Sequence, residues 1–272
     1  MALEGNEINS VLTDKMDDTE KDRKFVTALA RGLEILSCFR FEDHWLGNSD
    51  IVEKTGLPKA TVSRLTYTLM KLGYLRHSNE LGKYKFGPEF LSIGCSFLSR
   101  LKVREVARPL MQALTEYSQG AVNLAVREGL NMVYIDTYRS TSNLLIQLNV
   151  GTKLPIHSSA LGKAYLNALP ENDREELIQR IRHQNKENWQ QIEVALNLAS
   201  EEFNKYGYCT SFGEWRAEIN AVGVPLVLEE GLGIFAFSCG APSFQFAEPR
   251  VRDDIAPRLV NLVRNVKTAL LE

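Results

Sequence analysis

The feature that most constrains this chain is the segment 48–73, which carries the local signals of two short helices joined by a tight turn. Ser49 is a candidate N-cap for the first helix, and Gly56 is placed to end it. Pro58 lies near the start of the second helix, where its missing N–H costs nothing. Two helices joined in this way form a helix-turn-helix, a motif whose second helix enters the major groove of DNA.

The second predicted helix, residues 58–72, has two chemically different faces. Its apolar stripe follows helical spacing and consists of Val62, Leu65, Leu69 and Leu72. The opposite face carries groups that hydrogen-bond to phosphates and base edges, and Arg64 is suited to a bidentate contact with guanine. We expect the DNA contacts to come from Lys59, Ala60, Thr61, Ser63, Arg64 and Tyr67, together with Lys83. From this segment alone, a helical hairpin with a solvated polar face remains the alternative.

The flanking segments favour the DNA-binding interpretation. Two short alternating runs, 74–76 and 83–86, are separated by a loop rich in turn formers, which predicts a β-hairpin. A hairpin directly after a recognition helix is a wing. Upstream, residues 28–36 have an apolar stripe suited to a helix that packs behind the pair. Residues 24–87 are therefore predicted to form a winged helix-turn-helix domain.

The charge distribution agrees with this domain. Residues 24–87 carry ten Lys and Arg against six Asp and Glu, a net charge of +4, although the whole chain has a net charge of −2. Because phosphate attraction depends on the local face, an acidic average does not exclude DNA binding. Residues 1–23 are acidic and without hydrophobic periodicity, so we expect them to be a disordered tail.

The composition bounds the other function classes. A chain of 272 residues with 44% hydrophobic residues has room for two globular domains, and no apolar run is long enough for a membrane span. The cysteines are far apart, so the sequence indicates neither a zinc site nor a disulfide framework. They are Cys38, Cys95, Cys209 and Cys239. We expect a cytoplasmic protein without a cofactor.

Residues 88–102 predict a linker helix that needs a partner. Its apolar stripe consists of Phe90, Ile93, Phe97 and Leu101. An apolar helix between two domains is usually covered by its own domain or by a second subunit. We therefore expect this stripe to contribute to a homo-oligomer interface.

Residues 103–272 predict an α+β domain in which an antiparallel sheet is flanked by helices. One helix is expected over 103–117, a block of three helices over 158–206, and a closing helix over 250–271. The strand-like runs are 122–127, 132–138, 144–150, 219–228 and 233–238.

Several spaced motifs together resemble one known family. They are Tyr-Lys-Phe-Gly-Pro at 84–88, Val-Arg-Glu-Val-Ala-Arg-Pro-Leu at 103–110, Leu-Pro-Ile-His-Ser-Ser-Ala-Leu-Gly-Lys-Ala at 154–164, and Tyr-Gly-Tyr at 206–208 with Glu214 and Pro225. Over residues 24–272 the chain resembles the isocitrate-lyase-regulator (IclR) family of bacterial transcription factors. The resemblance implies a winged helix, a dimerising linker helix and a GAF-like C-terminal domain. It also implies a dimer or tetramer that binds palindromic operator DNA and responds to a metabolite.

By the same resemblance, the effector binds in the C-terminal domain. The implied contact residues are Ile146, Leu154, Ser159, Ala160, Leu161, Asn220, Phe237 and Cys239. For the buried amide of Asn220, an internal hydrogen bond is an equal alternative to a ligand contact. A helix that begins after Ser158 or Ser159 would present free N–H groups to an anion, although a serine there can also simply cap the helix. We expect a small organic acid, with an aromatic body favoured because this wall includes Phe237 and no basic side chain that would demand a dicarboxylate.

The sequence departs from the family pattern next to this expected pocket. Glu218-Ile219 stands where a glycine is usual, and the usual Ser-Gly-Pro after the last strand is Cys-Gly-Ala-Pro at 239–242. These departures leave the identity of the effector open.

Two other classes of function were weighed against a regulator. An enzyme is disfavoured because the sequence has no Gly-x-Ser-x-Gly elbow and no pair of histidines at metal-binding spacing. A winged helix that serves only for protein contacts remains the other alternative, since the basic charge is modest.

Overall fold

The computed structural model of the protein describes residues 24–39, 43–140, 148–228 and 233–271. The chain divides into two compact units, the first ending at Ser99 and the second beginning at Arg100. The predicted tail 1–23, most of the predicted strand 144–150 and the candidate residue Ile146 lie outside the described residues.

The first unit is a winged helix-turn-helix with one further helix. Its strands form an antiparallel sheet in the order β1-β3-β2. The helices are α1 (Thr27–Ser37), α2 (Asn48–Thr55), α3 (Lys59–Lys71) and α4 (Glu89–Leu98). The strands are β1 (Leu46–Gly47), β2 (Leu75–Ser78) and β3 (Lys83–Phe86). Strands β2 and β3 are the predicted wing.

The turn between α2 and α3 follows the sequence signals, but the start of α2 does not. Gly56 ends α2 in the left-handed conformation at φ +69°, and Pro58 directly precedes α3. Ser49 is not the N-cap of α2, because the helix already begins one residue earlier, after Gly47. Asp50 Oδ2 accepts a hydrogen bond from the Gly47 N–H at 2.9 Å, so a carboxylate in the first turn satisfies the group at the helix start.

The core of the first unit contains most of the predicted apolar stripe of α3. Val62 is fully buried, and Leu65 and Leu69 pack against the same cluster. Leu72 is 60% exposed because α3 ends at Lys71 and the chain turns away. The buried members of the cluster are Ile35, Cys38, Phe39, Leu46, Ile51, Leu57, Val62 and Leu75.

Helix α4 is shorter than the predicted linker stripe. It ends at Leu98, and Leu101 is the N-cap of the next helix, so the expected four-residue stripe is interrupted. Phe90 packs within the first unit, with its ring 4.6 Å from that of Phe86. Ile93 and Phe97 remain 56% and 53% exposed, which leaves them as the exposed part of the stripe.

The second unit is an antiparallel six-stranded sheet flanked by helices, and this confirms the predicted α+β class. The strand order is β6-β5-β4-β9-β8-β7. The strands are β4 (Ala121–Glu128), β5 (Asn131–Arg139), β6 (Lys153–Pro155), β7 (Cys209–Phe212), β8 (Ile219–Val227) and β9 (Ile234–Pro242). The helices are α5 (Lys102–Ser118), α6 (Ala160–Asn167), α7 (Glu171–Gln184), α8 (Trp189–Tyr206), α9 (Glu248–Arg250) and α10 (Ala256–Leu271), with a π-helical turn at Val251–Ile255.

The two faces of this sheet carry different helices. Helices α6, α7 and α8 share a buried cluster with Ala125 of β4 and Ala236 of β9. Helices α5 and α10 cover the other face, where Cys239 Sγ donates a hydrogen bond to Ser118 Oγ of α5. Because successive residues of a strand point to opposite faces, a position one residue away belongs to a different layer of the domain.

Candidate nucleic-acid interface and ligand pocket

Helix α3 presents most of the predicted DNA-contacting side chains to solvent. The exposed residues are Lys59, Ala60, Ser63, Arg64 and Tyr67, and Thr61 is half-buried. Residues three and four positions apart share one side of a helix, so positions 60, 63, 64 and 67 lie opposite the buried Val62. The ammonium group of Lys71 lies 5.5 Å from the centre of the Tyr67 ring, which adds positive charge to this surface.

The wing adds a basic face that sequence reasoning described only through Lys83. Pairing of β2 with β3 places Arg76 directly opposite Lys85, and Lys83 lies two residues from Lys85 on the same face. Like charges opposite each other destabilise a hairpin, so this arrangement favours a polyanionic partner. Lys83 Nζ is 3.7 Å from Asp50 Oδ2, but both side chains are more than 40% exposed, so solvent screens this pair. Lys85 could have been found by continuing the strand alternation from Lys83, and Arg76 by pairing the two strands of the hairpin.

The second unit contains a cavity between the start of α6 and the sheet. Its lining residues are Ala121, Asn123, Tyr134, Arg139, Leu148, Leu154, Ser159, Ala160, Leu161, Ser211, Trp215, Ile219, Ala221, Ser238, Gly240, Ala241 and Pro242. Four of the predicted effector contacts, Leu154, Ser159, Ala160 and Leu161, are therefore brought together here. The cavity is the candidate ligand pocket of this unit.

Three predicted contacts do not line this cavity. Phe237 and Cys239 are fully buried and alternate along β9 with the lining residues Ser238 and Gly240, so their side chains point to the opposite face. Asn220 likewise lies between the lining residues Ile219 and Ala221 of β8. Its side-chain amide donates to the Phe246 carbonyl at 2.9 Å. A shift of one position in a strand moves a side chain to the other layer, which explains all three differences.

The start of α6 is held tightly against the sheet. Ser159 is the cap of the helix, since its hydroxyl accepts from the Gly162 N–H at 3.1 Å and donates to the Pro155 carbonyl at 2.7 Å. A Cβ on Gly223 of β8 would lie 2.3 Å from the Ala160 carbonyl oxygen, so only a glycine allows this approach. Among the described residues, no acceptor is bonded to the N–H groups of Ala160 and Leu161. These amides and the helix dipole favour an anion at this end of the cavity.

A chain of buried polar groups crosses the floor of the cavity. Thr137 Oγ1 donates to Asn123 Oδ1 at 2.8 Å, and Asn123 Nδ2 donates to Ser238 Oγ at 3.1 Å. The Ser238 hydroxyl lies close to the Tyr134 hydroxyl. Burial raises the pKa of Tyr134 above its usual value, so the phenol keeps its proton.

These polar groups leave one proton donor unused. Even a hydrogen bond between the hydroxyl groups of Tyr134 and Ser238 would leave one of their two O–H groups free to donate. No acceptor for it is found in the described part of the chain, although both residues are only 3% exposed. Buried donors are normally satisfied, and this one therefore favours a ligand or water with an acceptor atom in the cavity.

Trp215 forms a wall of the cavity that sequence reasoning missed. Its loop follows β7, and the neighbouring Glu214 accepts from Lys163 of α6 at 2.5 Å. The Lys163 side chain is 3% exposed, so this ion pair ties the loop to the helix that begins at the cavity. The sequence offered one indirect signal for this wall. Lys163 and Glu214, which form the ion pair, both belong to the motifs quoted above.

Burial controls the titratable groups near the pocket and in the cores. It lowers the pKa of His157, which precedes α6, and so favours the neutral imidazole. It raises the pKa of Cys38, Cys209 and Cys239 to about 12 in each case. Cys95 of α4 is exposed.

The part of the chain that the structure describes contains no cluster of three or more His, Cys, Asp or Glu that could hold a metal ion. None of the described helices is long and apolar enough to cross a membrane.

Comparison with known proteins covers both units. A model described as the IclR helix-turn-helix domain matches residues 28–78, and one described as the bacterial transcriptional regulator IclR C-terminal domain matches residues 95–268. The curated HTH-type transcriptional regulator TsaQ1/TsaQ2 of Comamonas testosteroni is 36% identical over 253 residues, which span 92% of this chain and 91% of that protein.

Solved structures give the same assignment. An IclR family transcriptional regulator from Brucella abortus has 46% sequence identity and a TM-score of 0.84, with 92% of this chain and 94% of that chain covered. An IclR homologue from Microbacterium hydrocarbonoxydans, solved as a complex with 4-hydroxybenzoate, shares the fold at 23% identity and a TM-score of 0.69, with 89% and 98% covered. The Comamonas and Brucella proteins are both described as transcriptional regulators. The chain belongs to the IclR family of DNA-binding transcriptional regulators.

Proposed function

We propose that this regulator reads a specific operator through α3 and the wing, and that a small organic acid in the second unit controls this activity. The single observation that carries the effector proposal is the cavity at the start of α6. It combines the unbonded amides of Ala160 and Leu161 with a buried hydroxyl donor at Tyr134 or Ser238, inside walls that are mostly apolar.

The acid is proposed to have a flat, aromatic body. The support for this differs from the expectation based on Phe237. Ala121, Gly240 and Ala221 form a floor without large side chains, and Trp215 supplies an aromatic wall. Such a slot favours a planar ring. The 4-hydroxybenzoate bound to the Microbacterium homologue belongs to this chemical class.

A pocket-filling variant tests the effector proposal. We expect benzoate or 4-hydroxybenzoate to raise the melting temperature of the wild type, by a stabilisation of about 2.7 kcal/mol when the ligand is at 100 times its Kd. Ala221→Leu fills the floor and should abolish this shift. Ala113→Leu places the same side chain on an exposed position of α5 and should leave it unchanged. A ligand response that persists in Ala221→Leu would place the effector site elsewhere.

The DNA proposal is tested with an operator selected from random duplexes. Arg64→Ala should weaken binding by about 1–3 kcal/mol and relax selectivity at one base pair, if the guanidinium contacts a base edge. Lys59→Ala should weaken binding to all sequences alike, because a phosphate contact carries no sequence information. Arg264→Ala, an exposed change on α10, is the control. Unchanged binding in folded Arg64→Ala and Lys59→Ala would contradict the proposal, and failure of the wild type to select any duplex would favour a protein-contact role.

The active form is proposed to be a homo-oligomer that uses α4. Leu91, Ile93 and Phe97 are 69%, 56% and 53% exposed on this helix. Large apolar side chains grouped on one helix are usually covered by a partner. A two-fold dimer would also present two recognition helices to the two halves of a palindrome.

A further inference from the structure

The floor of the cavity contains a row of small residues that ends in an arginine. Strand pairing aligns Arg139 with Ala121, Ala121 with Gly240, and Gly240 with Ala221. All four residues line the cavity. Because three neighbouring strands contribute only Ala, Gly and Ala here, no large side chain fills the space above them. The space above the row is therefore free along its length, and Arg139 closes this space at the β5 end.

The charge of Arg139 is not neutralised by the protein. Its Nη2 donates to the Asn149 side-chain oxygen at 2.9 Å, which orients the guanidinium without cancelling its charge. In the described ranges, no carboxylate forms an ion pair with Arg139 and no Asp or Glu lines the cavity. Arginine stays protonated and carries five N–H donors, so most of its hydrogen-bonding capacity is unused.

Arg139 and the start of α6 lie at different ends of the cavity. The helix start rests on Gly223, which is three strands away from β5 and two residues further along. With strands about 4.8 Å apart and a rise of about 3.4 Å per residue, the two backbone positions are about 16 Å apart along the sheet. A single small carboxylate is shorter than this span. The geometry therefore favours separate acidic groups at the helix amides and at the guanidinium.

We propose that Arg139 is a second anion-binding group in the pocket and that the effector carries two acidic groups at opposite ends. One binds the amides of Ala160 and Leu161, and the other binds Arg139. Because Arg139 lines the cavity, the wall contains a basic side chain, which differs from the sequence-based expectation. This inference rests on the proposed function, because it specifies the class of acid that the same cavity takes.

The test compares acids that differ only at one end. Binding of terephthalate and 4-methylbenzoate, and of adipate and hexanoate, is measured by titration calorimetry on the full-length protein. A charge-assisted contact with Arg139 should give the wild type a preference for the better diacid of about ten- to a hundredfold over its matched monoacid. Arg139→Gln should remove this preference and leave the affinity for the monoacid unchanged. Arg180→Gln, an exposed change on α7 that does not line the cavity, should keep it.

The outcomes separate this inference from the proposed function. If monoacids bind the wild type as tightly as diacids, or if Arg139→Gln keeps the preference, the role of Arg139 is overturned while an organic-acid effector stands. If none of the four probes binds the wild type, the proposed effector class itself fails and the inference falls with it. Arg139→Lys retains the charge without the planar fork and should show an intermediate preference, which provides the test if Arg139→Gln does not fold.

Discussion

Replacing Gly223 with alanine should both destabilise the second unit and weaken effector binding. The added Cβ would lie 2.3 Å from the Ala160 carbonyl oxygen and 2.8 Å from the Leu161 nitrogen. Both neighbours are backbone atoms at the start of α6, so no side-chain rotation can relieve the contact. The helix start must move by about 1 Å to restore an ordinary van der Waals distance.

The size of the effect follows from two opposing contributions. Overpacking of a well-packed site costs about 1–3 kcal/mol, and a clash with backbone belongs to the upper part of this range. Replacing a glycine restricts the unfolded chain and returns about 0.4–1 kcal/mol. The net loss is about 2 kcal/mol, which corresponds to a melting temperature about 4–8 °C lower for a domain of this size.

The assay is thermal unfolding followed by ligand titration. Gly240→Ala is the matched control for thermal unfolding alone, because Gly240 itself lines the ligand pocket. A Cβ on Gly240 comes closest to the Ala221 Cβ, at 3.2 Å, and its other neighbours are at 3.5 Å or more, so a shift of a few tenths of an ångström suffices. Gly240→Ala should keep the melting temperature within about 2 °C, whereas Gly223→Ala should lower it and also displace the anion-binding amides. Wild-type stability together with wild-type effector affinity in Gly223→Ala would refute the close approach of β8 and α6.

Three further predictions concern the wing, the linker helix and pH. Arg76→Ala and Lys85→Ala should each lower DNA affinity for all sequences and reduce the salt dependence, log Kobs against log salt concentration, by about 0.9 per lost phosphate contact, as measured by filter binding. Phe97→Asp should shift light-scattering masses towards the monomer at low micromolar concentration, since it charges the exposed apolar face of α4. Lowering the pH from 7 to 5 should reduce the melting temperature, and His157→Gln should diminish this loss.

The sign of the pH effect follows from the buried imidazole. The folded state lowers the pKa of His157 below its usual 6.5, so the unfolded chain binds the proton first as pH falls. The stabilisation is therefore present above pH 6.5 and is lost below it. His183→Gln, at an exposed position of α7, is the control. An unchanged pH profile in His157→Gln, an unchanged salt slope in the wing variants, or a fully dimeric Phe97→Asp would contradict the respective argument.

The sequence was sufficient for the order of the longer helices and strands, but not for the short strands or for all the helix ends. Gly56 and Pro58 mark the turn between α2 and α3 because each imposes a backbone conformation locally. The short edge strands β6 and β7 were missed, since three or four residues are too few to show alternation. Ser49 was misassigned as the N-cap because the helix begins after Gly47. The carboxylate of Asp50, one residue after Ser49, accepts the hydrogen bond at the helix start instead.

The predicted residues that line the candidate pocket are Leu154 of β6 and three residues at the start of α6. Ser159, Ala160 and Leu161 are consecutive and share one helix terminus, so a local motif was enough to place them. Phe237 does not line the cavity because the register of β9, fixed by its pairing with β4 and β8, turns it to the opposite face, and no local pattern reveals that register. Arg139 was missed for the same reason, since it reaches the cavity only through the alignment of four strands.

The burial of three cysteines leaves the native chain with a single convenient labelling position. At pH 7, a thiol with a pKa of about 12 is ionised in only about one molecule in 10⁵, and alkylating reagents attack the thiolate. Cys95 is the exposed cysteine, and it lies on α4 among the apolar residues proposed to meet a second copy. Maleimide attached without any mutagenesis would therefore report on that helix alone. Its rate of reaction should fall as protein concentration rises, if subunits assemble through α4.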